Sequence, residues 1–210
     1  MKIVVIGNDD LKQELLQQGL QPAVQVEWLS DISKCSEIDQ ADVFIDLLFD
    51  EDREDHLEVL KKLPAEIIIV NDVAGTTENL PDSFVRINAW PTFLKRQIVE
   101  ASCKNETIKK SCEIIFNCFN KKIEWIKDTP GFITARIVSM IINEAYYALN
   151  DAISTREEID IAMKAGTHYP YGPFEWCKLI GPAKINSLLN KLSKTNSKYN
   201  PSTLISIDTN

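Results

Sequence analysis

The sequence lacks the features that would assign the protein to a membrane or nucleic-acid class. No apolar run approaches the roughly 20 residues that a bilayer-spanning helix needs. Lys and Arg form no cluster, and 31 acidic against 23 basic residues give a net charge of −8. This balance disfavours nucleic acid and anionic membranes as partners.

Cysteine forms no recognisable pattern either. The five cysteines include no Cys-x-x-Cys pair, and no histidine stands at zinc-finger spacing, so no metal site is expected. An odd number of scattered cysteines is typical of free thiols in a reducing compartment. The apolar run Met1–Ile6 is too short for a signal peptide, and we therefore expect a cytoplasmic protein.

The first half of the chain alternates short β-branched runs with helical patterns. Lys2–Ile6 reads as a buried strand, and leucines at helical spacing follow from Leu11 to Leu20. Further strands are predicted at residues 24–29, 43–48, 66–70, 83–88, 95–101 and 123–126, with helices around residues 56–63 and 106–120. Such alternation predicts βαβ units and a doubly wound, mostly parallel sheet over residues 1–127.

The second half shows only helical patterns, and it begins with two residues that interrupt regular secondary structure. Pro130 and Gly131 end the preceding strand-like segment, so a helix is expected to begin near Phe132. Over residues 132–149 apolar side chains cover most of the helix circumference. A helix of this kind must be buried on several sides, and we expect both neighbouring helices and a second subunit to cover it.

The last part of the chain carries clear helix signals. Thr155 and Glu158 form a capping box, and the helix that they start is expected to end at Gly166. A final helical segment is predicted over residues 174–192, with an interruption at residues 181–182. The predicted helical domain therefore covers residues 128–194, and residues 195–210 are expected as a loose tail in which Leu204, Ile205 and Ile207 could dock.

Separate blocks of the second half carry a family resemblance. They are Asp128-Thr129-Pro130-Gly131-Phe132-Ile133-Thr134-Ala135-Arg136, Asn143-Glu144-Ala145, Glu158-Ile159-Asp160-Ile161-Ala162-Met163-Lys164-Ala165-Gly166 and Tyr169-Pro170-Tyr171-Gly172-Pro173-Phe174-Glu175. In order and spacing they resemble the helical C-terminal domain of the 3-hydroxyacyl-CoA dehydrogenase family. The first half resembles a shortened form of that family's NAD-binding domain, so the resemblance covers residues 2 to about 190.

The resemblance implies a fold, a cofactor and a reaction. The implied fold is α/β, a Rossmann-like doubly wound sheet followed by an all-α C-terminal dimerisation domain. The implied reaction is oxidation of a 3-hydroxyacyl-CoA to the 3-ketoacyl-CoA, with the hydride passing to NAD. A histidine removes the hydroxyl proton and a glutamate orients that histidine, which is general acid–base chemistry.

Three positions correspond to the cofactor-binding residues of the family. Gly7 matches the first glycine of the phosphate-binding turn, but Asp9 and Lys12 stand where the other two glycines are expected. Asp31 follows the second strand at the position of the ribose-binding acid, where an acidic helix cap is the alternative. Asn71 matches an asparagine at the end of a strand. The Asp9 carboxylate should repel a phosphate, so NAD in the usual pose is not expected.

The catalytic positions differ from the family pattern as well. Glu100 matches the family glutamate, but Asn88 stands twelve residues earlier, where the histidine is expected. Ala135 replaces the motif asparagine and Ala74 a substrate-contacting serine, for which Thr76 or Thr77 could supply a hydroxyl.

The alternatives for the missing base are few. Asparagine cannot accept a proton near neutral pH, which leaves Glu100 itself, Asp72 or Lys95. Trp90 is expected in the substrate pocket.

The residues thus leave two hypotheses open. In the first, the chain is an NAD-dependent dehydrogenase that acts on a 3-hydroxyacyl-CoA. In the second, it is a catalytically inactive homologue that keeps the fold and serves as a dimeric binding or structural protein. A fold does not decide between them, because function lies in the site. The expected partners are acyl-CoA or another small molecule, together with a second copy of the chain.

Overall fold

The computed structural model describes residues 1–38, 40–50 and 52–208. Contacts within the chain divide it into two compact units, Met1–Phe132 and Ile133–Asn210. The predicted boundary follows residue 127 and the structural division follows Phe132. Across the described ranges, no helix combines the length and the hydrophobicity that a membrane crossing requires.

The N-terminal unit is built on one twisted sheet. Its strands are β1 (Lys2–Ile6), β2 (Gln25–Leu29), β3 (Val43–Asp46), β4 (Ile67–Asn71), β5 (Phe84–Ile87), β6 (Ile98–Cys103) and β7 (Lys122–Trp125). They lie in the order β2-β1-β3-β4-β5-β6-β7, and among the strand pairs of the described residues only β5–β6 is antiparallel. This is the doubly wound α/β architecture that the sequence predicts.

Helices pack on both faces of this sheet because its strands are apolar on both sides. The helices are α1 (Asp9–Leu16), α2 (Arg53–Leu60) and α3 (Lys109–Asn117). Leu11 of α1 and Phe116 of α3 join one buried cluster, whereas Leu57 of α2 joins another. All five residues of β4 are buried, as expected for a central parallel strand. The strand order reverses between the parallel neighbours β1 and β3, which makes their carboxyl ends the switch point of the sheet.

Several element boundaries differ from the prediction, two of them because of tight turns. Helix α1 ends at Leu16 instead of Leu20, because the chain turns at Gly19, whose φ is +88°. Strand β6 begins at Ile98 instead of Lys95, because residues 93–95 form a 3-10 turn. Both corrections come from tight turns that hydrophobic periodicity does not report.

The described part of the C-terminal unit contains helices and no strands, as predicted. Its helices are α4 (Thr134–Asn150), α5 (Arg156–Thr167), α6 (Pro173–Ile180), α7 (Pro182–Ser193) and α8 (Thr203–Ile207). Helix α4 packs against α6, α7 and α8, which accounts for apolar residues around most of its circumference. The capping box of Thr155 and Glu158 is confirmed. Helix α5 runs one residue past Gly166, and the exposed His168 ends it in the left-handed conformation, with a φ of +58°.

The start of α6 rests on a buried carboxylate. Asp160 of α5 accepts hydrogen bonds from the backbone amides of Phe174, at 2.8 Å, and Glu175, at 3.1 Å. A Cβ atom added at Gly172 would lie 2.3 Å from Asp160 Cγ. Glycine stands at position 172 because the carboxylate leaves no room for a side chain.

The predicted loose tail is packed as far as residue 208, which corrects the expectation for residues 195–208. Asn143 of α4 donates to the Asn200 carbonyl at 2.9 Å and accepts from the Ser202 amide at 2.8 Å. Ile205 is fully buried, whereas Ile207 is 63% exposed. The segment docks because one apolar side chain and two backbone groups find partners on α4. Residues 209 and 210 lie outside the described residues.

Candidate active site

The structure brings the two predicted catalytic positions together. The antiparallel pairing of β5 with β6 sets Ile87 opposite Ala101, and the Asn88 amide continues this ladder with a 3.1 Å hydrogen bond to the Glu100 carbonyl. The Asn88 side chain donates from Nδ2 to Glu100 Oε2 at 2.9 Å. Both side chains are buried. An amide can donate this bond, but it cannot take a proton from a substrate.

Two buried charged groups hold the segment that links Asn88 to β6. Both carboxylate oxygens of Glu14 accept from the Thr92 amide, at 2.7 and 2.9 Å, and Thr92 has a φ of +81°. Lys121 Nζ donates to the Leu94 and Arg96 carbonyls. Burial raises the pKa of Glu14 and lowers the pKa of Lys121 to about 8. Neither residue carries a sequence signal, because their partners lie far along the chain.

Trp90 lies in the same segment and is 1% exposed. Its indole donates to Asp50 Oδ2 at 2.6 Å, and the other oxygen of Asp50 accepts from the Val73 amide at 3.2 Å. The predicted pocket residue is thus fixed in the interior by a buried hydrogen bond, the usual arrangement for a packed tryptophan.

Asn71 joins the carboxyl ends of neighbouring strands. Its Nδ2 donates to the Leu47 carbonyl at 3.1 Å, and its Oδ1 accepts from the Ala89 amide at 3.0 Å. Both ends of the amide therefore bind backbone. This geometry gives Asn71 a structural role as a cross-link between the ends of β3 and β4 and the segment after β5.

An arginine that the sequence did not single out connects the motif around Asp128 to the sheet. Arg86 of β5 has no exposed surface; it donates from Nε and Nη2 to the Asp72 carbonyl, at 3.0 and 2.7 Å, and from Nη1 to Asp128. Its guanidinium lies 4.8 Å over the Phe132 ring. Burial lowers the pKa of Arg86, although the nearby carboxylates oppose this shift. A single arginine within an apolar strand gives no sign of these partners.

The Asp128 carboxylate also receives two bonds from Thr77. The amide and the hydroxyl of Thr77 each donate to Oδ2 at 2.9 Å. Burial raises the pKa of Asp128, but the bonds from Thr77 and the Arg86 charge outweigh it, so that pKa is lowered. The Thr77 hydroxyl, which could stand in for the serine that Ala74 replaces, is thus directed at Asp128.

The other candidate bases also take part in ion pairs. Asp72 is 1% exposed, and Arg53 Nε lies 3.2 Å from its Oδ2. Lys95 Nζ lies 4.0 Å from Glu14. Each of these two side chains is therefore already engaged in an ion pair.

The turn after β1 does not fit a dinucleotide phosphate. Asn8 caps α1, since its Oδ1 accepts from the Leu11 amide at 2.9 Å, and the exposed Asp9 and Asp10 form the first turn. A phosphate would need this amide and would meet these carboxylates. Leu47 Cδ1 would lie 3.4 Å from a Cβ at Gly7, which shows how closely the neighbouring strand end approaches the turn.

Asp31 serves as a helix cap. It stands two residues after β2, and its Oδ1 accepts from the Ser33 amide at 2.7 Å at the start of the 3-10 helix over residues 32–37. This hydrogen bond lowers the pKa of Asp31. The position matches that of a ribose-binding acid, but one oxygen is engaged by the backbone.

A buried histidine–aspartate pair lies nearby. His56 Nδ1 is 2.6 Å from Asp46 Oδ2, and Asp46 Oδ1 accepts from the Leu48 amide at 2.9 Å. The pair joins the end of β3 to α2 and is separate in sequence from Asn88 and Glu100. Within the described ranges, no three His, Cys, Asp or Glu side chains are grouped so that they could hold a metal ion.

The chain is similar to proteins described as hydroxyacyl-CoA dehydrogenases. Residues 131–206 match the family model described as 3-hydroxyacyl-CoA dehydrogenase, C-terminal domain. A 3-hydroxybutyryl-CoA dehydrogenase of Bradyrhizobium diazoefficiens is 28% identical over 92% of this chain and 69% of its own length. The human mitochondrial hydroxyacyl-coenzyme A dehydrogenase is 44% identical over 53% of this chain, and the chain spans only 36% of that protein.

Solved structures support the fold. The (S)-3-hydroxybutyryl-CoA dehydrogenase of Ralstonia eutropha superposes with a TM-score of 0.68 at 17% identity, covering 98% of this chain and 92% of that one. A 3-hydroxybutyryl-CoA dehydrogenase of Escherichia coli gives a TM-score of 0.64 at 16% identity, and the match covers 99% of this chain and 56% of that chain. At these identities the likeness shows a shared fold and nothing about activity.

Proposed function

Because this chain belongs to the 3-hydroxyacyl-CoA dehydrogenase family, we propose that it is a catalytically inactive member that binds acyl-CoA or another small molecule as a homodimer. The family gives the fold and the ligand class, while the residues at the catalytic positions argue against turnover. The free thiols of all five cysteines support a cytoplasmic location.

The Asn88–Glu100 contact carries this proposal. The family reaction needs a base that takes the hydroxyl proton while the hydride leaves. At the position of that base, the Asn88 amide donates to Glu100 at 2.9 Å. An amide holds the geometry of the pair without its proton-accepting nitrogen, so the pair can orient a ligand oxygen but cannot drive its oxidation.

The turn after β1 supports the same proposal. NAD would have to bring its pyrophosphate to an amide that the Asn8 side chain already caps, beside two exposed carboxylates. Neither charge nor hydrogen bonding favours that approach.

The alternative is an active NAD-dependent dehydrogenase that oxidises a 3-hydroxyacyl-CoA to the 3-ketoacyl-CoA. Its support is the similarity to a 3-hydroxybutyryl-CoA dehydrogenase along 92% of this chain and the glutamate kept at position 100. In that case Glu100 would itself have to act as the base, displacing the hydrogen bond from Asn88.

The homodimer is proposed on the outer face of α4. Ile133, which precedes the helix, and Ile137 are 51% and 53% exposed, and Tyr147 is 38% exposed. Half-exposed apolar side chains along one helix are typical of an association surface.

A titration of NADH followed by fluorescence separates the two functions. The inactive homologue should show no binding up to millimolar cofactor and no acetoacetyl-CoA-dependent oxidation of NADH, yet it should bind acetoacetyl-CoA in calorimetry. The Bradyrhizobium relative provides the positive control. A low-micromolar dissociation constant for NADH, together with turnover, would overturn the proposal in favour of the dehydrogenase. Failure to bind acetoacetyl-CoA would remove acyl-CoA as the ligand.

A further inference from the structure

The helical unit contains a cavity that the family resemblance does not explain. Its volume is about 460 Å³, and it lies among α4, α5, α6, the start of α7 and the residue that follows α8. Aromatic and apolar groups of Tyr146, Phe174, Cys177 and Pro182 form its walls, and Arg156 and Asp208 bring a guanidinium and a carboxylate into it. A largely apolar cavity with a few convergent polar groups is the usual form of a small-molecule site.

The polar groups in the cavity converge on one carboxylate. Asp208 Oδ2 accepts from Arg156 Nη2 at 2.8 Å and from the Tyr146 hydroxyl at 2.5 Å. The same hydroxyl lies 3.5 Å from Cys177 Sγ. These bonds and the Arg156 charge lower the pKa of Asp208, although its burial opposes them, so the group is a carboxylate. The donors therefore form a carboxylate receptor that the chain itself fills.

Aromatic rings hold the guanidinium in place. Arg156 lies 4.9 Å over the Phe174 ring and 5.2 Å over the Tyr146 ring, and these two rings meet edge to face at 5.0 Å. These cation–π contacts hold the guanidinium beside the two rings independently of Asp208. The receptor is preorganised.

Other charges at the cavity do not replace this receptor. Asp160 is engaged by the amides at the start of α6, and Glu175 is paired with Lys164. The acidic Glu157 and the basic Lys178 also line the cavity. Arg156 is thus the cation placed to bind an anion in the cavity.

The group that fills the receptor sits on a weakly built element. Helix α8 has five residues, which is too short to be stable alone. The Arg156 and Asp208 side chains are 40% and 31% exposed, and ion pairs at such exposure are weak. The segment over residues 200–208 depends mainly on Ile205 and on the Asn143 contacts, so Asp208 can leave without unfolding the bundle.

We propose that this cavity is a binding site for a small amphipathic carboxylate, and that Asp208 closes it from within the chain. The ligand's carboxylate takes the place of the Asp208 side chain on Arg156 and Tyr146, and its apolar part lies against Phe174 and Pro182. The C-terminal segment therefore competes with the ligand. This site lies apart in sequence from Asn88 and Glu100, and the proposal does not depend on the function proposed above.

Calorimetric titration with hexanoate tests the competition on the full chain. Asp208→Asn keeps the shape of the side chain and removes its charge, and it should bind hexanoate at least about tenfold more tightly than the wild type. Adding Arg156→Gln should abolish this gain, whereas the exposed Asp151→Asn, as a matched control, should leave the wild-type affinity unchanged. Equal affinities in Asp208→Asn and the wild type, or a gain that survives Arg156→Gln, would overturn the proposal.

Hydrogen exchange gives a second test that needs no variant. Saturating hexanoate should accelerate exchange of the Ile207 and Asp208 amides in the wild-type protein, because the ligand displaces Asp208 and loosens the end of α8. Acetate, which lacks the apolar part, should do so only weakly. Unchanged or slower exchange of these amides with hexanoate would also contradict the proposal.

Discussion

The side chains of Asn88 and Glu100, twelve residues apart, share a buried hydrogen bond of 2.9 Å, with Asn88 directly after β5 and Glu100 on the antiparallel β6. The pair keeps a carboxylate in place but pairs it with a group that has no basic nitrogen. In the function proposed above, this contact is the reason why the chain lacks a proton acceptor at that position.

Restoring the base should not restore the reaction. Asn88→His places an imidazole beside Glu100, but the capped turn at Asn8 and the fully buried Ala135 remain. We expect no NADH oxidation with acetoacetyl-CoA above that of the exposed control Asn79→His. Measurable turnover in the single variant would show that the turn tolerates the cofactor.

Arg86 should be worth more to stability than its strand position suggests. Arg86→Met leaves Asp128 and the Asp72 carbonyl without their buried donor, and breaking such a pair costs about 3–5 kcal/mol. The half-exposed Arg53, which also pairs with Asp72, serves as the control, and Arg53→Met should cost about 1 kcal/mol or less. Urea unfolding measures both; similar losses in the two variants would refute the central role of Arg86.

Lys121 should make stability depend on alkaline pH. Burial lowers its pKa from 10.5 to about 8, so between these values the unfolded chain holds a proton that the folded protein has released. Stability contributed by this residue therefore rises with pH across that window. The free energy of unfolding of the wild type, relative to Lys121→Met, should increase by about 1–3 kcal/mol from pH 7.5 to 10.

The exposed neighbour Lys122 provides the control for that measurement. The difference between the wild type and Lys122→Met should stay flat over the same pH range. A flat difference for Lys121→Met as well would mean that its amine is not desolvated in the folded protein.

The proposed dimer can be tested on α4. Ile137 is 53% exposed, and Ile137→Glu should produce monomers because a carboxylate cannot be buried unpaired in an apolar interface. Ile114→Glu, at a site 56% exposed on α3 of the other unit, should sediment like the wild type. A wild type that sediments as a monomer at micromolar concentration would contradict the dimer itself.

Much of the fold could be predicted because it depends on local patterns. Buried parallel strands such as β4 are continuous apolar runs, and the capping box at Thr155 is a motif of four residues. The twelve-residue spacing of the family predicts that Asn88 and Glu100 act together, and the antiparallel pairing of β5 with β6 brings them into contact. These features need little information from distant parts of the chain.

The remaining features could not be predicted because they join distant positions. Arg86 and Asp128 are 42 residues apart, and Thr92 meets Glu14 at a separation of 78. The Ser, Thr and Asn content of residues 195–210 is typical of loops and predicts a loose tail, yet Ile205 is buried against the helices. Charged residues that fold inward give no periodic signal.

Gly172 and Asp160, which belong to two different motif blocks, lie so close together that the size of one side chain limits the size of the other. With 2.3 Å between Asp160 Cγ and the position of a Cβ at residue 172, the two sites share one space. In related chains we expect them to vary together: a larger residue at the glycine position should coincide with a shorter side chain at the aspartate, and with another way to cap α6. Covariation between these two positions would then reflect the way in which Asp160 caps the start of α6.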